Sequence, residues 1–85
     1  MSEGKDMQLT VLSPQKTVLQ VQTGRVELPA SKGRFVVLHN HAPVITSLEE
    51  GDVVYATAEG KQEEIHILSG FAEVNENTVT VCAEI

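Results

Sequence analysis

His39 and His41, two positions apart with Asn40 between them, are the side chains in this 85-residue chain whose type and spacing could most readily do chemistry. On an extended strand, residues i and i+2 share a face, so two imidazoles at that spacing could hold one metal ion. Other chemistry is poorly provided for. Cys82 is the lone cysteine and sits in the alternating run Val79-Thr80-Val81-Cys82-Ala83. A small packed hydrophobe is expected there, and the sequence places no base to activate the thiol. The acidic pairs Glu49-Glu50 and Glu63-Glu64 are adjacent; neighbours on a strand point to opposite faces, so neither pair converges on a substrate. Ser13, Ser47 and Ser69 have no base placed beside them. Gly60-Lys61 runs into Gln62 and lacks the earlier glycine of a phosphate-cradling loop. No catalytic residue and no cofactor are expected.

The order Gly33, His39, His41 is similar to the first part of the metal motif of the cupins, which are small β-barrels. That motif continues with a glutamate shortly after the second histidine, where this chain has Ile45 and Thr46. Its later histidine follows a Pro-x-Gly turn, whereas His66 follows Glu63-Glu64-Ile65. The leading expectation is therefore no metal. A cupin-like metal-binding barrel using His39 and His41 is the alternative.

The elements that must position these residues are strands. Leu9 and Val11 alternate with polar neighbours before Ser13-Pro14-Gln15-Lys16, and Leu19 and Val21 alternate with Gln20 and Gln22. Period-two alternation marks strands with one buried face. Thr23-Gly24 is read as a turn or bulge, and Arg25-Val26-Glu27-Leu28 resumes the alternation until Pro29. Phe35-Val36-Val37-Leu38 is apolar without a break, which fits a strand covered on both faces or crossing between sheets. Val53 to Ala58 is a further strand, Glu59-Gly60 a tight hairpin turn, and Lys61 to Leu68 the return, with Ile65 and Ile67 inward and Glu64 and His66 outward. Ser69-Gly70 reads as another turn. Phe71 to Val74, the turn Asn75-Glu76-Asn77, and Thr78 to Val81 close the set. Pro43 to Glu50 is the one place left for a turn of helix.

Short strands with turn signals every 8–12 residues or so indicate a sandwich or barrel. The expectation is an all-β, flattened antiparallel β-sandwich of about 8–10 short strands over residues 7–85, after a flexible N-terminus over residues 1–6. Without tryptophan, and with one tyrosine and two phenylalanines, the core must be mostly Val, Leu, Ile and Ala. Six basic against twelve acidic residues give a net charge of −6, which speaks against a nucleic-acid or anionic-membrane surface. No apolar run reaches the roughly 18 residues of a membrane span. The polar start, Met1 to Asp6, carries no signal core. A small fold without disulfides suggests a reducing, cytosolic-type compartment.

Three segments, in order, carry a second resemblance. Gly33 to Gly51, centred on His41-Ala42-Pro43-Val44-Ile45-Thr46, resembles a signature of the epsilon subunit of F-type ATP synthases, called delta in mitochondria. Leu9 to Pro14 looks like that family's opening strand and its serine. Leu68-Ser69-Gly70-Phe71-Ala72-Glu73-Val74 and Thr78 to Glu84 resemble its closing strands. The chain departs from the pattern at four places. His39-Asn40 replaces Pro-Gly, Val36 a glycine, Glu50 a frequent proline, and Arg34 a residue often acidic in relatives. Asparagine tolerates the left-handed backbone nearly as glycine does, so the turn at Asn40 is expected to survive.

The resemblance implies a non-catalytic central-stalk subunit, a β-sandwich between the gamma subunit and the c-ring of the membrane sector, turning with them as proton flow drives ATP synthesis. By position in the motif, Arg34 and His41 are expected at the c-ring and Ser13 on the gamma side. The implied location is peripheral, on the cytoplasmic face of the bacterial inner membrane, with no direct membrane insertion. The C-terminal helical hairpin of relatives is expected to be absent, and with it inhibition by inserted helices.

Overall fold

The computed structural model describes residues 6–85, so the lead-in expected over residues 1–6 lies, Asp6 apart, outside the described residues. Nine strands follow in order: β1 (Met7–Leu12), β2 (Thr17–Thr23), β3 (Arg25–Ala30), β4 (Gly33–Leu38), β5 (Val44–Leu48), β6 (Gly51–Ala56), β7 (Gln62–Ile67), β8 (Ser69–Asn75) and β9 (Thr78–Glu84). They are hydrogen-bonded in the order β2-β1-β9-β8-β5-β3-β6-β7, with β4 on β3. The sheet curls into two layers, β2-β1-β9-β8-β5 and β4-β3-β6-β7. The pairing is antiparallel, with one exception: β1 runs parallel to β9, from Gln8 beside Thr78 to Leu12 beside Cys82.

The alternating residues form the core. Leu9, Val11, Val26, Leu28, Val37, Val53, Ile67, Val79 and Val81 are all fully buried, with Met7, Ala72 and Val74 beside them. Each buried aliphatic side chain of this size is worth about 1.5–3 kcal/mol of transfer free energy. Leu19, Val21, Phe35, Val44, Tyr55 and Ile65 pack against this core from its margins. Phe35 and Tyr55 thus border the core, and the aliphatic residues fill it.

Several local expectations are corrected. Pro43 to Glu50 holds β5 and no helix; Val44, Ile45 and Thr46 are β-branched and pair with Val74, Glu73 and Ala72 of β8. β3 continues through Pro29 to Ala30. The β6–β7 connection is the loop Thr57 to Lys61 and not a tight turn at Glu59-Gly60. It is closed by Thr57 N–H donating to Lys61 O (2.7 Å) and Gly60 N–H to Thr57 O (3.0 Å). Ser69-Gly70 does not reverse the chain; it opens β8. Val36 and Leu38 are exposed, so β4 is covered on one face only. Cys82 faces outward on β9, half-buried between its ladder neighbours Leu12 and Phe71. It is not a core residue.

Two buried details give direct tests. Thr23 is the buried polar side chain among the described residues. Its hydroxyl accepts the N–H of Ala56 (3.2 Å) and of Arg25 (3.3 Å) and lies within donating distance of Ala56 O (2.8 Å) and Arg25 O (3.0 Å). It thereby ties the β2–β3 junction to the end of β6. Thr23→Val keeps the shape and strands those groups, so it should cost about 1–3 kcal/mol in urea unfolding. At Gly70 an added Cβ would overlap Cys82 O and approach Ala83 Cα to 2.9 Å. Both are backbone atoms, which cannot swing aside. Gly70→Ala should lower stability by about 2–3 kcal/mol, read as a lower urea midpoint at unchanged slope.

Candidate functional site

The corner after β4 is built by one turn. His41 N–H donates to Leu38 O (3.1 Å), and Asn40 at the third position has φ 67°. That left-handed residue is the one expected to keep the Pro-Gly turn with asparagine, and it does so. Pro43 then fixes the entry to β5. The half-buried His41 ring stands edge-on to Phe35, with centroids 5.2 Å apart and planes at 81°. Its Nδ1 lies 2.7 Å from Ala42 O, which places the proton on Nδ1. His39 and His41 belong to a turn, so the shared face that two strand residues would have is lost. Among the described residues no group of three or more His, Cys, Asp or Glu side chains is arranged to hold a metal ion.

Arg34 stands at the other end of β4, where β5 passes into β6. Its Nη2 donates to Asp52 O (3.0 Å) and its Nε lies 3.5 Å from Glu27 Oε2. Both partners are on the outer face of β3 and β6. Beside them His66, on the outer face of β7 as its alternation predicts, bridges two carboxylates. Nδ1 lies 2.9 Å from Asp52 Oδ1 and Nε2 3.2 Å from Glu50 Oε2. The hydrogen bonds to Asp52 and Glu50 raise the His66 pKa above its usual 6.5. The register Asp52 opposite His66 creates this cluster. A two-residue turn at Glu59-Gly60 would instead have set Asp52 opposite Ile67, so the sequence reading did not find it.

Ser13 closes the β1–β2 connection, its N–H and Oγ both donating to Lys16 O (2.9 and 3.2 Å). Next to it the outer face of the first layer carries an apolar row across three strands, Leu12, Cys82 and Phe71. Phe71 is 50% exposed, and Val18 and Ile85 lie exposed nearby, around Pro14. Ser13 and Arg34 thus share the end at which β5 passes into β6 and β7 into β8, on different faces. His41 is at the opposite end, and the structure does not bring it together with Arg34.

The family described as ATP synthase, Delta/Epsilon chain, beta-sandwich domain matches residues 6–85. The chain belongs to this family. It is 43% identical over 76 residues to the ATP synthase epsilon chain of Desulfitobacterium hafniense, an alignment covering 89% of this chain and 57% of that one. It is 40% identical over 80 residues to the ATP synthase epsilon chain of Nitratidesulfovibrio vulgaris, covering 94% and 59%. The chain therefore spans somewhat over half the length of these relatives. The fold is also that of a chain in the Euglena gracilis mitochondrial ATP synthase, OSCP/F1/c-ring (TM-score 0.86, 24% identity, 92% of this chain and 50% of that chain). A chain of the Tetrahymena thermophila mitochondrial ATP synthase central stalk/c-ring aligns with TM-score 0.77 at 14% identity, over 99% of this chain and 67% of that one. At these identities the likeness is one of fold.

In this delta/epsilon-type sandwich His66 gives a pH prediction. A histidine whose folded pKa is raised adds stability that is fully present below the unfolded pKa and is lost as pH rises through the folded pKa. Stability should therefore fall slightly as pH rises from about 6.5 through the His66 midpoint. By NMR, His66 should titrate above 6.5, and Asp52→Asn, which removes the larger cause, should move the midpoint back toward it. An unmoved midpoint in that variant would refute the assignment.

Proposed function

We propose that this chain is a non-catalytic rotor part: the β-sandwich of an epsilon-type subunit, coupling the gamma subunit to the c-ring during proton-driven ATP synthesis. The observation that carries the reading is the family match over residues 6–85, joined to exposed apolar surface on both layers. A small monomer has little reason to leave Phe71, Ile85, Leu38 and Val36 in water unless neighbours cover them. The solved likenesses come from an OSCP/F1/c-ring assembly and from a central stalk/c-ring assembly, which supports the same reading.

Ser13, with the adjoining row Leu12, Cys82 and Phe71, is assigned to the gamma side. Arg34 and His41 are assigned to the c-ring. They stand at the two ends of β4, and β4 is an edge strand that pairs, among the described residues, only with β3. A contact that takes in both must run along β4, and the exposed Val36 and Leu38 between them would lie within it. The place of action is peripheral, on the cytoplasmic face of the bacterial membrane, held there through the c-ring. No bond is made or broken on the chain; it transmits torque between two neighbours.

The test is binding to each neighbour separately. The chain should co-elute with purified gamma subunit in size exclusion. Phe71→Glu should weaken that complex by about tenfold or more, as loss of a central apolar anchor does. Arg34→Glu should weaken c-ring binding and leave gamma binding intact. Failure of the wild-type chain to bind gamma would sink the reading.

A further inference from the structure

We propose that Asn77, on the β8–β9 turn, is the positioning residue that presets the His39 to Pro43 corner for docking; the docking half rests on the c-ring reading above. The turn Glu76-Asn77 is a two-residue hairpin with both φ positive, 49° and 61°, flanked by the ladder pair Asn75 and Thr78. Turns of this hand match the twist of the flanking strands. Asn77 is further fixed through its carbonyl, which accepts Gln8 N–H from β1 (3.0 Å). From this mount the Asn77 carboxamide reaches a segment 37 positions away. Its Oδ1 accepts the backbone N–H of Asn40 (2.7 Å), and its Nδ2 donates to Asn40 Oδ1 (3.3 Å).

Among the described residues, the hydrogen bonds tying the corner to a separate element both end on Asn77. The corner's other hydrogen bonds and ring contact are local: His41 N–H to Leu38 O, His41 Nδ1 to Ala42 O, and the His41 ring on Phe35. The corner joins the two layers and belongs to no ladder. Without Asn77, among the described residues it would have no hydrogen bond from outside its own turn to fix the left-handed Asn40, and only the edge of Phe35 against the His41 ring. Ordering a loop on docking costs affinity, and ordering it beforehand removes that cost.

The deletion variant is Asn77→Gly, because glycine keeps the positive φ without strain while losing the carboxamide. The rescue variant is Asn77→Asp. Aspartate tolerates the same backbone and keeps the acceptor for Asn40 N–H, and the Asn40 amide can flip to donate back. In the free chain, Asn77→Gly should speed amide hydrogen exchange at Asn40 by about fivefold, the worth of a net hydrogen bond. It should weaken c-ring binding by about the same factor, and Asn77→Asp should restore both. Unchanged exchange at Asn40 in Asn77→Gly would overturn the proposal. Faster exchange with wild-type c-ring affinity would overturn its docking half. Should the wild-type chain bind no c-ring, the docking reading falls, and the exchange arm alone decides whether Asn77 orders the corner.

Discussion

The whole body depends on a change of face made twice at one place. In β5 the inward residues are the even-numbered Val44, Thr46 and Leu48; in β6 they are the odd-numbered Val53 and Tyr55. In β7 they are Ile65 and Ile67, and in β8 Ala72 and Val74. Strand side chains have period two, so a shift of one residue sends the apolar set to the opposite face. Two outward residues, Glu49-Glu50 in one strand and Leu68-Ser69 in the other, absorb the shift side by side. There β5–β6 and β7–β8, together one long hairpin, fold over and pass between layers. Without the paired shift, one layer would turn its apolar residues to water. Gly70 sits just past the fold because the β9 backbone comes too close there for any side chain.

That construction divides labour between the two faces of each strand. Inward residues hold the shape and are aliphatic; outward residues are free to meet neighbours. The unbroken apolar run of β4 is the informative exception. Phe35 and Val37 face the core, while Val36 and Leu38 are left exposed by the described residues. An apolar residue on the open side of an edge strand also invites unwanted pairing, so the run makes physical sense if a neighbour covers it. The row Leu12, Cys82 and Phe71 poses the same question on the other layer. The charged cluster of Arg34, Glu27, Asp52, His66 and Glu50 lies beside the fold-over, is solvent-exposed, and contributes little to stability.

What the sequence made legible follows from distance along the chain. Alternation in β1, β2, β3, β7 and β9 could be read because it is local, and so could the outward direction of His66. β5 was obscured because Ile45 is exposed while Val44 and Thr46 are half-buried, which blurs the pattern to a short mixed run after a proline. The parallel pairing of β1 with β9 brings together the two ends of the sandwich, and no local signal announces it. The register of β6 and β7 turned on whether the loop holds two residues or five. The pattern itself favoured five, since a two-residue turn would set the inward Val53 opposite the outward His66. Of the candidate site residues, Asn40 was readable as a left-handed position. Its partner Asn77 was readable only as a turn residue, because their contact spans the molecule.

The Asn40–Asn77 contact explains how the chain keeps its corner without the glycine of the related signature. A left-handed residue with a side chain costs something that glycine does not, less for asparagine than for most. The Cβ causes the cost, and the carboxamide it carries supplies a hydrogen-bond acceptor at the spot the β8–β9 turn can reach. The side chain–side chain bond, Asn77 Nδ2 to Asn40 Oδ1, is worth about 1 kcal/mol net against that strain and needs both asparagines, whereas the bond from the Asn40 backbone N–H to Asn77 Oδ1 needs only Asn77. The substitution at Asn40 is therefore tolerable here because of a residue on another hairpin. The stiffness of the corner belongs to the pair, and Pro43 alone would fix where the chain enters β5 without fixing where His41 points.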